Sequence, residues 1–235
     1  MHRGDEWYPS VLSAVSWAPD RIYARGNLSL LRMPCIGLCG SRHATAQALH
    51  WARSFGQEAA RQGVAVVSGY ARGVDVEAHR GVLEAGGAAI AVMPEGIDHF
   101  RIRRELKDII DGTSNFLALS MFDRAAPWAV WRAMERNKLI VGLSSGLLVV
   151  EARETGGTIA AAYESMRQGK KLWAVAYEES LPDRAGNRKL LASSALPVSK
   201  VEDFREALEA AMLDPPPEVR QLVMAAFRDD LEGNQ

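Results

Sequence analysis

Six short apolar runs constrain what this chain can fold into more than any other feature. They are CIGLC (35–39), VAVVS (64–68), AAIAVM (88–93), FLALS (116–120), LLVVE (147–151) and KLWAVA (171–176). Each is apolar at nearly every position and not only at alternate ones, so both faces of each strand need cover. Stretches with helical spacing separate them, roughly at 45–62, 75–86, 101–111, 126–142 and 157–169. Strands that bury both faces and alternate with helices specify a doubly wound, mostly parallel α/β sheet.

Around this core (33–200) the chain reads as an N-terminal extension (1–32) packed on the sheet and a C-terminal helical tail (201–235). The tail carries helical patterns at 201–213 and 217–231, parted by Asp214-Pro215-Pro216-Pro217. The prolines stop the first helix and can start the second. A chain of 235 residues, 48% of them hydrophobic, is long enough to bury one large core. Net charge is −1, but the tail holds nine acidic residues against three arginines, which leaves +5 on residues 1–200. A moderately basic body is compatible with a polyanionic ligand.

Cys35 and Cys39 sit in one run at strand spacing, on the same face with Gly37 between them. A rise of ~3.3 Å per residue sets their Cα atoms ~13 Å apart, too far for a disulfide. They read as buried small hydrophobes in a protein of the reducing cytoplasm. The longest apolar stretch, Leu139 to Val150, is too short to span a bilayer. No leader is legible in MHRGDEWYPS, and no histidine has metal-ligand spacing, so neither membrane, metal nor cofactor is expected.

In open α/β sheets, ligands bind beyond the carboxyl ends of the strands. The glycine-rich polar clusters lie there: CGSRHAT, SGYARGVD, MPEGIDHF and EARETGGTIAAA. Small residues just before a helix expose backbone N–H groups, and the helix dipole favours an anion. Gly40, Ser41, Arg42, Ser68, Gly69, Arg72 and Gly73 are candidate phosphate-binding residues on the first two loops. Thr155, Gly156, Gly157 and Thr158 form a third cradle.

Arginine suits phosphate because its planar fork donates two bonds at once. Arg42 alternatively braces the sheet edge, and Arg72 alternatively pairs with Asp75 or Glu77. Arg136, Asn137 and Lys138 add cations near the site, although residues two apart on a helix diverge by about 200° unless the helix is irregular. A solvated charged face is the alternative for this group. Asp75 is a good N-cap for the helix that follows, and His79 one turn on reads as support bonded to Asp75 or a loop carbonyl. Tyr70 could stack a base or pack on its own helix. Trp128 and Trp131, at i and i+3, read as core.

The motifs GSR (40–42), SGYARGVDVEAH (68–79), RNKLIVGLS (136–144) and VVEARETGGT (149–158) together resemble the DNA-processing protein A family, also called DprA or Smf. The likeness extends over about residues 8–200. It implies an extended Rossmann-like fold shared with the lonely-guy hydrolases, non-catalytic binding of single-stranded DNA, a homodimer, and assistance to a RecA-type recombinase during DNA uptake. The chain departs from the family at Ser120-Met121, at IDHFR (97–101) and at Ala176-Tyr177, and no winged helix is recognisable. Two other readings stay open: a nucleotide-ligand sensor, and a nucleotide hydrolase of lonely-guy type. For the latter, the first acid after Thr158 is Glu164, two turns along the helix.

Overall fold

The six apolar runs pair as parallel strands in a computed structural model, which describes residues 1–213 other than Ala14 and Ser180. They are β2 (Cys35–Cys39), β3 (Ala65–Ser68), β4 (Ala89–Val92), β5 (Phe116–Ser120), β6 (Gly146–Val149) and β7 (Lys171–Val175). Two short strands complete the edges: β1 (Tyr23–Gly26) runs antiparallel to β5, and β8 (Leu196–Val198) parallel to β7. The order is β1-β5-β4-β3-β2-β6-β7-β8. From β2 the chain winds outward through β3, β4 and β5, crosses back to β6, and winds the other way. That reversal opens a crevice beyond the carboxyl ends of β2 and β6.

Nine helices are present among the described residues: α1 (Ser10–Ser13), α2 (Ala46–Arg61), α3 (Val74–Glu84), α4 (Lys107–Asp111), α5 (Val130–Glu135), α6 (Asn137–Leu143), α7 (Gly157–Arg167), α8 (Ala185–Leu191) and α9 (Val201–Leu213). Helices α2, α3, α4 and α9 cover one face of the sheet, and α1, α6, α7 and α8 the other. Alternation along β2 sends Ile36 and Leu38 to the first core, and Cys35 and Cys39 to the second. Both thiols are free and buried, and burial pushes Cys35 up to about 12.

Two polar networks tie the layers. Thr45 caps α2, accepting from the Ala48 N–H at 3.2 Å while its hydroxyl donates to the buried Glu151 carboxylate at 2.6 Å. The start of α2 is thereby fixed to the end of β6. Asn187, 1% exposed at the start of α8, does the same for β6 and β7. Its Oδ1 accepts from the Ala152 N–H (2.7 Å), and its Nδ2 donates to the carbonyls of Val150 (2.9 Å) and Val175 (3.1 Å).

Two helical expectations are corrected. The stretch 126–142 is not one helix: α5 starts only at Val130, and the chain breaks at Arg136 before α6. Arg136, at the junction, and Asn137, which opens α6, both turn inward, each 6% exposed. Residues 101–111 form a 3-10 turn (Arg104–Leu106) and the short α4, with Arg101 to Arg103 outside any helix. The expected helix 217–231 lies outside the described residues. No helix among the described residues is long and apolar enough to cross a membrane.

Asn187→Ala removes the buried partner of the Ala152 N–H and the Val175 carbonyl and one of the two partners of the Val150 carbonyl, which keeps the Tyr177 hydroxyl, a loss of about 2–4 kcal/mol. Urea denaturation should show the midpoint falling accordingly. Asn187→Asp, which turns a buried carboxylate oxygen toward the Val150 and Val175 carbonyls, should be at least as destabilising as alanine at neutral pH.

Candidate nucleic-acid interface

The β2–β6 crevice opens into a cavity of about 360 Å³. Gly40, Ser41 and Arg42 form one wall, directly after β2. Thr155, Gly157 and Thr158 form the opposite wall, where β6 leads into α7. The first turn of α7 leaves backbone N–H groups without intrahelical partners, facing the crevice with the positive end of the dipole. Arg136 and Asn137 contribute from the α5–α6 break, and the Asn137 amide donates to the Gly157 carbonyl at 3.2 Å. A second cavity of the same size, beyond β3 and β4, shares Arg42, His43, Ala71, Trp128 and Arg136 with the first.

Arg136 stands where the two cavities meet. Its guanidinium lies against the Gly69 backbone so closely that a Cβ there would fall 1.6 Å from Nη1. Only glycine leaves that space. Nε and Nη1 are buried without a hydrogen-bond partner. Burial lowers the guanidinium from its ordinary pKa and Arg42's like charge adds to this, while Asp75 opposes it. Asp75 is itself 5% exposed; burial raises its carboxyl, against the pull of Arg136.

The loops around this pair are fixed by backbone contacts. Gly73 takes φ +78°, and a side chain there would meet the Ser41 carbonyl oxygen at 2.3 Å. The Val74 N–H donates to that same carbonyl at 3.2 Å. Gly73, not Asp75, caps α3; Asp75 sits inside the first turn and accepts from the Ala71 N–H at 3.2 Å.

Arg42 and Arg72 are both exposed, and neither forms an ion pair or side-chain hydrogen bond among the described residues. The alternative partner for Arg72, Glu77, pairs with Arg80 at 3.3 Å. Gly69 and Arg72 line the second cavity. Ser68, Gly73 and Gly156 line neither: the Ser68 hydroxyl donates to the Leu38 carbonyl (2.6 Å), and the two glycines shape turns with positive φ. Lys138 is not brought to the crevice either, because it points along α6 to pair with Glu135 at 2.6 Å.

Three further expectations are corrected. Tyr70 cannot stack a base: it is 3% exposed with φ +56°, and its hydroxyl accepts from the Arg103 N–H at 2.9 Å. Trp128 and Trp131 are not core. They are 51% and 60% exposed, because the chain at Trp128 has not entered α5 and the i,i+3 spacing forms no stripe. His79 makes no bond to Asp75 or a loop carbonyl; its ring packs between Tyr70 and Phe116, beside the Ile90 backbone of β4. Arg103, Glu95 and Trp128, all lining the second cavity, are the residues that motif reading misses.

Burial pushes His79 down to about 4, with Arg136's charge adding to it and the Ile90 backbone opposing. A histidine depressed in the fold stabilises it above the unfolded pKa near 6.5, and that contribution fades as pH falls toward 4. Between pH 7 and about 4.5 the wild type should therefore lose on the order of 2–3 kcal/mol more than His79→Phe. Urea titrations of both proteins at the two pH values measure the difference.

Known proteins share this architecture. The family model described as DNA recombination-mediator protein A matches residues 1–209. Protein Smf of Escherichia coli strain K12 is 31% identical over 205 residues, covering 87% of this chain and 55% of the relative. The chain thus spans about half the length of that protein. DNA processing protein A from Streptococcus pneumoniae superposes with a TM-score of 0.79 at 28% identity, over 88% of this chain and 72% of that one. The Helicobacter pylori DNA processing protein A, whose structure is described as giving insight into its single-stranded DNA binding mode, superposes with a TM-score of 0.75 over 86% of this chain and 92% of that one. At 24% identity that second likeness is one of fold. From the match over residues 1–209, the chain belongs to the DNA recombination-mediator protein A family.

Proposed function

We propose that this protein binds single-stranded DNA without acting on it chemically, holding a backbone phosphate in the β2–β6 crevice. The observation that carries the reading is Arg136, a guanidinium 6% exposed with two buried nitrogens lacking partners, at the junction of two cavities. A buried cation without a hydrogen-bonded partner is costly, and an anion beside it offsets that cost. The exposed fork of Arg42 and the first turn of α7 supply further donors to the same phosphate. Trp128 borders both cavities and offers a face on which a base can stack, independent of sequence.

A strand fits this arrangement better than one mononucleotide, because the cations continue past the crevice into the second cavity. The hydrolase reading finds less support. Glu164 is engaged by Arg167 (2.7 Å) and Gln168 (2.6 Å) and does not line the crevice. Service to a RecA-type recombinase in the cytoplasm, and a homodimeric state, are carried by the family relationship alone.

Fluorescence anisotropy of labelled oligo-dT, from about 5 to about 35 nucleotides, tests the reading. Affinity should rise with length, fall steeply with salt, and drop at least tenfold in Arg42→Ala, the loss of one charge-assisted contact. Trp128→Ala should cost about 1–3 kcal/mol of binding with little change in the salt slope. Wild-type binding that is flat in length, or absent at low salt, would refute strand binding and point to a small nucleotide.

A further inference from the structure

The second cavity carries charge that one phosphate in the crevice does not balance. Arg42, Arg72, Arg103 and Arg136 line it, and Glu95 is the one carboxylate among its lining residues. Arg103 is held there by three contacts with Tyr70. Its backbone N–H donates to the Tyr70 hydroxyl and its Nε to the Tyr70 carbonyl, each at 2.9 Å, and its guanidinium lies 5.2 Å from the ring centroid. These contacts fix the planar group and use only one of its side-chain nitrogens. Neither Nη donates a hydrogen bond among the described residues. The unusual φ of +56° at Tyr70 turns its carbonyl toward Arg103, so backbone strain and the arginine's position belong to one local arrangement.

A pre-oriented fork with two unused donors, beside the unpaired Arg72 and Arg42, is a bidentate anion seat. The cavity abuts the crevice across Arg42 and Arg136, so a ligand that crosses those two arginines has an anionic group on each side of them. A chain of nucleotides has that form, since it carries a phosphate at every step.

We infer that the second cavity is a distinct phosphate subsite, organised by Arg103 and Arg72, that takes the neighbouring phosphate of the strand held in the crevice. This rests on the single-strand reading above and adds a footprint to it. Two adjacent phosphates are read together, and the strand runs from the first turn of α7, over Arg42 and Arg136, to the end of β4. Glu95 opposes the second phosphate and sets how tightly it is held.

The test is the salt dependence of oligo-dT binding by the wild type, Arg103→Ala and Glu95→Gln. Arg103→Ala should weaken binding about tenfold and make the log–log salt slope shallower by about 0.7, the value for one single-strand phosphate contact. Glu95→Gln should move affinity the opposite way, several-fold tighter at neutral pH. If Arg103→Ala disturbs the Tyr70 loop, wild-type competition between the dinucleotides dTpdT and pdTpdT reads the same quantity, because only the second carries two phosphates. It should compete about tenfold better. Wild-type strand binding combined with unchanged affinity and slope in both variants would overturn the second subsite alone. Failure of the wild type to bind any strand would overturn the parent reading as well.

Discussion

A guanidinium with two buried, unpartnered nitrogens sits where the sheet reverses direction, and much of the local structure exists to permit it. Arg136 occupies space that any side chain at position 69 would fill, and it reaches that space from the junction of α5 and α6. An uncompensated buried charge costs several kcal/mol, and Asp75, itself buried, offsets only part of that through its field. A protein under selection for stability alone would close this position with an apolar side chain. Keeping the arginine is consistent with stability exchanged for an anion site, as at other functional positions where local rules are broken.

The topology explains why the remaining donors converge on the same place. Because β2 and β6 are neighbours whose following segments depart to opposite faces, the loop bearing Arg42 and the first turn of α7 meet across one crevice. The Thr45–Glu151 bonds hold the first loop to the end of β6, and Asn187 holds β6 to β7. Donors fixed by strand ends and caps would lose little freedom on binding the proposed phosphate, which favours binding over induced rearrangement. The electrostatics is graded: the buried Arg136 provides a strong local field, while the exposed Arg42 and Arg72 extend it to solvent, where salt screens it.

The sheet was legible in the sequence because six doubly apolar runs admit little else, and strand-end glycines such as Gly40 and Gly157 line the cavity beyond β2 and β6. Arg42, the first cation past β2, stands at that edge and lines both cavities. What failed was side-chain direction where the backbone leaves regular geometry. WAVWRAMERNKLIVGL has an unbroken helical pattern, and the burial of Arg136 and Asn137 depends on tertiary packing that the pattern does not carry. Trp128 lies before the helix begins, so its spacing from Trp131 said nothing about a shared face. Tyr70 turns inward through a positive φ that propensity disfavours for an aromatic residue. Residues 101–111 have helical spacing, and an irregular stretch at their start instead directs Arg103 to Tyr70.

Ligand-induced stabilisation of Arg136→Met tests the central claim most directly, because it separates folding from anion binding in one experiment. Urea denaturation is followed for wild type and variant, each with and without saturating oligo-dT. The account predicts a clear upward shift in the wild-type midpoint on adding the strand and no shift in a variant that still unfolds cooperatively. A folded Arg136→Met protein stabilised by the strand as much as wild type would contradict it, and would move the binding site away from the β2–β6 crevice.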